Sequence, residues 1–496
     1  MALVNFSKIK KIYFAGIGGI GVSAIARFML ANNKVVVGSE LNESETVDQL
    51  RNLGIKIIIG QKAENITKDI DLLVYSPALP NNHPERLAAK KLKIKELSYP
   101  EILGILSKQY NTIAISGTHG KSTTTAITGL IFETAKKDPN VIVGSKLKHW
   151  HGNMRLGKSN ILIAEACEWK THFLELSPQT ILMNNLELDH PDCYKDDKAV
   201  VAVFQKFANK LKKNNLLILN NDSKLLKQIK TKSKVFTFGI EAKSNLMAKN
   251  IQIDSKKLLQ TFDLYLNNEF LSNIEIHLPG IFNIYNCLAA ISISLNYGID
   301  FKDIKLALKK FTGIWRRFDR VGYFDFKDNL NYVELKHLNN FDFKNKALVI
   351  SDYGHHPTAV KATIQATKEF YKGKRIVLAF QPHEHTRTKV LLKDYIKAFD
   401  KADVTIFEEI YTVPGRESKK EIALIKGIDV VKKIKHHKPN LKITYAKDND
   451  EVIQLIRKII KKDDVLLIMG AGEIYNIISK LKNWQFWENV NMKKIK

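Results

Sequence analysis

Three cysteines in 496 residues, Cys167, Cys193 and Cys287, are too few and too scattered for a disulfide framework or a four-cysteine zinc site. They point to a reducing cytoplasm. No apolar run reaches the length that a bilayer demands. Residues 8–30 have the basic start and apolar run of a secretory leader. That run, however, is broken by Gly16, Gly18, Gly19 and Gly21, contains Arg27, and leads into an ordinary strand with no small-residue cleavage site. Solenoid-length repeats and low-complexity linkers are missing as well. Acidic residues are in deficit: 51 Asp and Glu against 78 Lys and Arg leave a net charge of +27. Such an excess draws polyanions. Yet the lysines are spread through mixed-charge stretches, and no basic cluster interleaves with aromatics as an RNA-binding face requires. The expectation is a soluble cytoplasmic protein that binds neither nucleic acid nor membrane, a monomer or weak homodimer.

What is present is a globular composition, 45% hydrophobic and 26% charged, in a chain long enough for two to four domains. Residues 11–15, 34–37, 56–59 and 71–75 read as strands, with helices starting near Gly21, Ser44 and His83. A second alternation opens with a strand at 112–116 and a helix from Lys121 to about Lys136, followed by strands near 160–164 and 180–183. Between about Phe236 and His277 the pattern turns to short alternating strands, which predicts an antiparallel insert or edge. A third alternation places strands at 347–351, 375–380, 403–407, 442–445 and 464–469. The fold class is therefore α/β, with boundaries near 109 and 319 and domains at 1–108, 109–318 and 319–496.

Gly16-Ile17-Gly18-Gly19-Ile20-Gly21 follows a predicted strand and opens a predicted helix. Glycines let the backbone turn tightly and approach a diphosphate, while the helix start offers free N–H groups and a positive dipole end. Ser39 and Glu40 end the next strand about twenty residues on, where an acid commonly holds a ribose hydroxyl. Alone, this is the fingerprint of an NAD-dependent oxidoreductase. It supports a nucleotide diphosphate without saying which one.

A second loop, Ser116-Gly117-Thr118-His119-Gly120-Lys121-Ser122-Thr123, also joins strand to helix. Its N–H groups can cradle phosphates, Lys121 can reach the terminal ones, and Ser122 can ligate Mg²⁺. It is not a full Walker A loop, since Ile115 stands where the early glycine belongs. Two nucleotide loops in separate α/β units favour an enzyme that couples ATP to a nucleotide-carried substrate.

Further motifs follow in order: Glu165-Ala166-Cys167-Glu168, Asn184-Asn185-Leu186-Glu187-Leu188-Asp189-His190-Pro191-Asp192, Leu278-Pro279-Gly280 with Asn283 and Asn286, and Trp315-Arg316-Arg317-Phe318. Then come Asp352-Tyr353-Gly354-His355-His356-Pro357, Phe380-Gln381-Pro382-His383 and Met469-Gly470-Ala471-Gly472-Glu473. With the shortened Gly-Thr-x-Gly-Lys-Ser loop, this series resembles the Mur ligases over nearly the whole chain. The His in the phosphate loop, the paired His355-His356 and the Phe-Gln-Pro-His stretch look like the branch that adds alanine.

That resemblance implies a Rossmann-like UDP-binding domain, a central P-loop ATPase-like domain and a C-terminal Rossmann-like domain. It implies ATP-dependent ligation of L-alanine to the lactyl carboxylate of UDP-N-acetylmuramate through an acyl phosphate, with ATP and Mg²⁺ required. By resemblance, Gly16, Gly18, Gly19, Gly21, Ser39 and Glu40 hold the UDP-sugar. ATP falls to Gly117–Thr123 with Asn283 and Asn286 at the adenine, Arg317 at the γ-phosphate and Asp352 of the third domain. Ser122, Glu165 and His190 are the implied metal ligands, and Lys121, Glu165, His190 and Arg317 the catalytic set. Arg316 either shares the task of Arg317 or faces solvent. Tyr353, His355 and Arg387 are the implied amino-acid site, arginine suiting its carboxylate. The chain departs from the family pattern at Glu384, where many relatives carry another arginine, and at Phe282, where relatives often have His. A carbamylated lysine is not expected, because Gln205 occupies its place. Cys167 beside Glu168 is read as a tolerated small residue, not a nucleophile. A ligase attaching a ready-made murein tripeptide to the same UDP-sugar is the near alternative. An NAD-dependent oxidoreductase is the alternative of a different class.

Overall fold

The computed structural model describes residues 8–327, 330–335, 341–413 and 416–482. Strands β1 Lys11–Ala15, β2 Val35–Glu40, β3 Lys56–Ile59, β4 Leu72–Tyr75 and β5 Lys95–Ser98 form an all-parallel sheet in the order β3-β2-β1-β4-β5. The order reverses between β1 and β4, which leaves a crevice at the carboxyl end of β1, where the first glycine loop lies. Ile12, Phe14, Leu72 and Val74 are fully buried. Such runs suit a sheet covered by helices on both faces.

The central sheet has ten strands: β6 Asn111–Ser116, β7 Asn140–Leu147, β8 Gly152–Arg155, β9 Ile161–Glu165, β10 Thr180–Met183, β11 Leu216–Asn220, β12 Lys234–Gly239, β13 Leu246–Asp254, β14 Leu259–Leu266 and β15 Glu269–Ile276. Their order is β15-β14-β13-β12-β11-β10-β6-β9-β7-β8, so β6, which carries the second loop, sits between β9 and β10. All three therefore deliver their carboxyl ends to one place. The region after Phe236 is antiparallel only from β13 onward, because β12 pairs parallel with β11, and the meander strands are eight or nine residues long. The third sheet joins β16 Asp319–Asp325, β17 Asn331–Glu334, β18 Lys346–Asp352, β19 Ile376–Phe380, β20 Val404–Glu408, β21 Ile443–Ala446 and β22 Val465–Met469 in the order β17-β16-β18-β22-β19-β20-β21. Only β16 runs against the rest, pairing antiparallel with both β17 and β18.

The first and second units meet closely. A Cβ placed on Gly104, in the helix Tyr99–Ser107, would lie 2.6 Å from the carbonyl oxygen of Glu175, so only glycine permits that approach. From the β7–β8 hairpin, Asn153 Nδ2 donates to Ser23 Oγ at 3.3 Å and also to the Ile20 carbonyl, at the start of the helix behind the first loop. No described helix is long and apolar enough to cross a membrane.

Candidate active site

The first loop is folded against its neighbours. Gly16 has φ +73°, and Gly16 N and Ile17 N both donate to Ser39 O at 3.0 Å. Gly18 N donates to Glu40 Oε2 at 2.8 Å, which places that carboxylate directly over the loop amides. Ser39 meets the first loop through its backbone. Its hydroxyl is fully buried and donates to Glu85 Oε2 at 2.8 Å, away from the crevice, so its contribution to the loop is its carbonyl. Glu85, itself fully buried, also accepts from Tyr13 OH at 2.7 Å and Asn65 Nδ2 at 2.8 Å.

The second loop depends on two glycines in the left-handed region, Gly117 at φ +127° and Gly120 at φ +83°. His119 N donates to Asn185 Oδ1 at 2.8 Å, and Thr118 N to Asn185 O at 3.1 Å. Lys121 Nζ folds back along the loop, donating to Gly117 O at 2.6 Å and Glu168 Oε1 at 3.0 Å. Burial alone would lower the Lys121 ammonium, but Glu168, with Cys167 and Glu165, outweighs it and holds the group above its ordinary value. Ser122 and Thr123 are buried at the helix start. Asn283 and Asn286 lie beneath the loop. Asn286 Nδ2 donates to Asn283 Oδ1 at 3.1 Å, Thr124 Oγ1 donates to Asn286 Oδ1 at 3.3 Å, and Asn283 Nδ2 donates to Pro279 O at 2.7 Å. Their amides prop the phosphate loop in this state.

Tyr99 packs on the first loop from the side of Glu165 and Cys167. Its ring packs so closely on Gly21 that a Cβ there would sit 2.6 Å from the ring. Burial pushes its phenol up, and Glu165 and Cys167 push it further. Burial likewise raises the Cys167 thiol to about 12, which leaves it protonated and unreactive.

Glu165 and His190 stand apart in their bonding. Glu165 Oε2 accepts from Gly144 N at 2.7 Å, whereas His190 groups with Glu168 and Asp189, their ligand atoms lying within 4.8 Å of one another. Two carboxylates with an imidazole can hold a divalent cation, and the hard oxygens suit Mg²⁺. Buried Glu168 Oε2 lies 2.9 Å from Lys121 Nζ yet has no hydrogen bond of good geometry, so an acceptor is left over.

The third unit closes over this cluster. Arg387, on the helix His385–Val390, is 2% exposed; its Nη2 lies 3.1 Å from Asp189 Oδ1 and 3.0 Å from His190 Nδ1. Burial would raise the Asp189 carboxyl, but Arg387 and then His190 hold it well below the usual range. A second tie centres on Glu187. Oε1 meets His119 Nε2 and lies 3.5 Å from His356 Nδ1, and Oε2 accepts from Thr358 Oγ1 at 3.1 Å. Because Thr358 N donates to His356 Nδ1 at 3.3 Å, that lone pair is already used, and the trio reads as a latch and not a metal centre.

The connection between the second and third units is pinned. Arg316 is buried, not solvent-facing: its guanidinium donates to Gly470 O, and its carbonyl accepts from Tyr353 N at 2.7 Å. Arg317 stacks its guanidinium over the Tyr353 ring at 4.7 Å. Asp352 spends its carboxylate on Phe318 N and Gly354 N, both at 2.7 Å, and burial raises its pKa. His355 Nδ1 is 3.1 Å from Tyr353 O, and burial followed by Arg387 keeps the ring neutral. Glu168, Glu187 and Asp189 were legible within quoted motifs, but no role pointed to them. Thr358 and Arg416 carried no motif signal at all.

Comparison with known proteins agrees along the chain. Residues 11–111 match the Mur ligase family catalytic domain, 115–294 the Mur ligase middle domain and 339–472 the Mur ligase glutamate ligase domain. A UDP-N-acetylmuramate–L-alanine ligase of Clostridium kluyveri is 38% identical over 477 residues, 95% of this chain and 98% of that protein. One from a Sulfurihydrogenibium species is 35% identical over 479 residues, 96% and 98% respectively. The crystal structure of a Thermotoga maritima UDP-N-acetylmuramate-alanine ligase superposes with a TM-score of 0.78 at 25% identity, covering 97% of this chain and 99% of that one. With relatives this similar from end to end, and with phosphate loop and latch built from the motifs that suggested it, the chain belongs to the Mur ligase family.

Proposed function

We propose that this chain ligates L-alanine to the lactyl carboxylate of UDP-N-acetylmuramate at the expense of ATP, acting in the cytoplasm as a monomer or weak homodimer. Residues 1–108 hold the sugar nucleotide, 109–318 hold ATP, and 319–496 bring the amino acid and close the site. One observation carries the reading: Lys121 and Glu168 face each other just beyond the carboxyl ends of β6 and β9, at a phosphate loop whose parallel neighbours converge there.

The UDP-sugar diphosphate lies on Gly16–Gly21, where Glu40 swings from the loop amides to the ribose. Its lactyl carboxylate then extends past Tyr99 toward Lys121. ATP phosphates displace the Lys121 ammonium from the loop carbonyls, and Lys121 with Arg317 neutralises charge as the γ-phosphoryl group moves to the carboxylate. Ser122 and Glu165, and apart from them the Glu168–Asp189–His190 cluster, would hold two Mg²⁺ ions, which would supply further charge neutralisation. The amine of alanine attacks the acyl phosphate and phosphate leaves. Water is excluded by the Glu187 and Arg387 ties, since an acyl phosphate hydrolyses readily.

The test mixes purified enzyme, ATP, Mg²⁺, UDP-N-acetylmuramate and one amino acid at a time, with phosphate release as readout. L-alanine should release phosphate and murein tripeptide should not. Silence with L-alanine, glycine and L-serine alike rejects the reading.

A further inference from the structure

A small cavity of about 30 Å³ lies beside His190, lined by Pro191, Asp192, Glu384 and Thr386 and, across from them, by Arg387, Arg416, Glu417 and Glu421. Most of its charged groups are already committed. Asp192 Oδ2 accepts from Trp169 Nε1 at 3.0 Å. Glu417 Oε1 accepts from His385 N at 2.7 Å, and its Oε2 from Val413 N at 3.2 Å. Glu421 Oε2 accepts from Ser418 N and Oγ, both at 2.7 Å, as a helix cap. Arg387 is bound to Asp189.

Two groups differ. The Arg416 guanidinium makes no side-chain hydrogen bond among the described residues, and its side chain is 34% exposed. It sits over the Trp169 ring, 4.1 Å from the centroid, a cation–π contact that leaves its N–H donors available. Glu384 Oε1 stands 3.8 Å from Arg416 Nη1, beyond hydrogen-bonding reach. Glu384 is held at φ +65° at the start of its helix, with its amide donating to Tyr411 O at 3.0 Å, so the carboxylate is aimed by the backbone. Glu384 Oε2 also lies 3.7 Å from His383 Nδ1 and 3.8 Å from Arg387 Nη1, so its carboxylate stands at ion-pair distance from its neighbours, and it lines the same small cavity beside His190 as Arg416. Their opposite charges match the two ends of an amino-acid zwitterion.

We infer that Arg416 and Glu384 form the clamp for the incoming amino acid, Arg416 receiving its carboxylate and Glu384 its ammonium, while Arg387 serves as a positioning residue on Asp189 and His190. This rests on the proposed ligase function and replaces Arg387 as the carboxylate's partner. It also gives Glu384 a purpose where an arginine would duplicate the charge that Arg416 provides.

The test compares L-alanine with L-alaninamide, which lacks the carboxylate, as acceptors for the intact enzyme. Arg416→Ala should raise the KM for L-alanine roughly ten- to hundredfold, the size of a lost charge-assisted pair, and should abolish the preference for L-alanine over its amide. Arg416→Lys should restore part of that preference. Glu384→Gln should raise the KM for both acceptors, and Arg387→Ala should lower kcat with both while keeping the preference. The inference is overturned if Arg416→Ala, with its ATP binding intact, still discriminates against the amide, or if Arg387→Ala is the variant that stops discriminating. A wild-type enzyme that uses another small amino acid, with discrimination that still depends on Arg416, would overturn the choice of alanine and support the clamp.

Discussion

Lys121 Nζ stands 2.9 Å from Glu168 Oε2, so the phosphate loop's own cation is neutralised by a carboxylate from the end of β9. Binding a polyphosphate means exchanging that partner for a stronger one. The ion pair keeps Lys121 charged and aimed while no nucleotide is bound.

Replacing Lys121 with Ala should cut ATP-dependent phosphate release by roughly a hundred- to thousandfold, the usual cost of a missing charge-stabilising donor. Calorimetric binding of the UDP-sugar should persist, because the first loop is anchored on Ser39 O and not on this residue. Retained turnover would refute the role of Lys121.

His190→Ala should shift the Mg²⁺ activation curve to higher concentration, because the cluster with Glu168 and Asp189 loses one ligand. An activation curve superimposable on that of the wild type would count against a cation at this cluster.

Glu187→Ala removes the acceptor shared by His119 and Thr358 and the carboxylate 3.5 Å from His356. The expected result is uncoupling, with more phosphate released than ligated product formed, because the third unit no longer holds water off the acyl phosphate. A ratio that stays at unity would show that closure does not need this latch.

Glu85→Ala leaves the buried Tyr13 OH and Ser39 Oγ without their acceptor and takes one of two acceptors from Asn65 Nδ2. Denaturant unfolding should register a loss of roughly 2–5 kcal/mol. An accompanying rise in the KM for the UDP-sugar, with that for ATP unchanged, would place the damage at the first loop.

Glu408, at the end of β20, is 3% exposed with Oε2 unpartnered; burial, then Asp448 and Glu473, raises its carboxyl from 4.5 to about 8. Its folded-state pKa exceeds its unfolded one. Its contribution to stability is therefore fully present below pH 4.5 and is lost as pH rises toward and through about 8. Glu408→Gln should raise the thermal midpoint at pH 8, with the gain shrinking toward pH 4.5. A gain independent of pH would point to packing instead of titration.

Elements with strong local signals were legible. β1, β10 and the helix after Gly120 lie where apolar runs and glycine turns place them. β5, a four-residue Lys-Glu-Leu-Ser stretch, has no pattern of its own and exists because it pairs with β4. The apolar Leu216–Asn220 and the β7–β8 hairpin were likewise left unassigned, the hairpin because its registration with β9 is set by the sheet. Both loops could be read because glycine spacing encodes backbone shape directly. Ser39 illustrates the limit: a strand alternates its side chains, and only the packed structure reveals that Glu85 waits on the far side. Arg387 and Asp189 are 198 residues apart, and nothing local foretells their pairing.

The contact at Gly104 has a mechanical outcome. With no room for even a methyl group against the Glu175 carbonyl, the first unit is seated on the second as a fixed anvil. Any opening and shutting that the proposed ligation requires would then fall to the third unit, tied to the connection by Arg316.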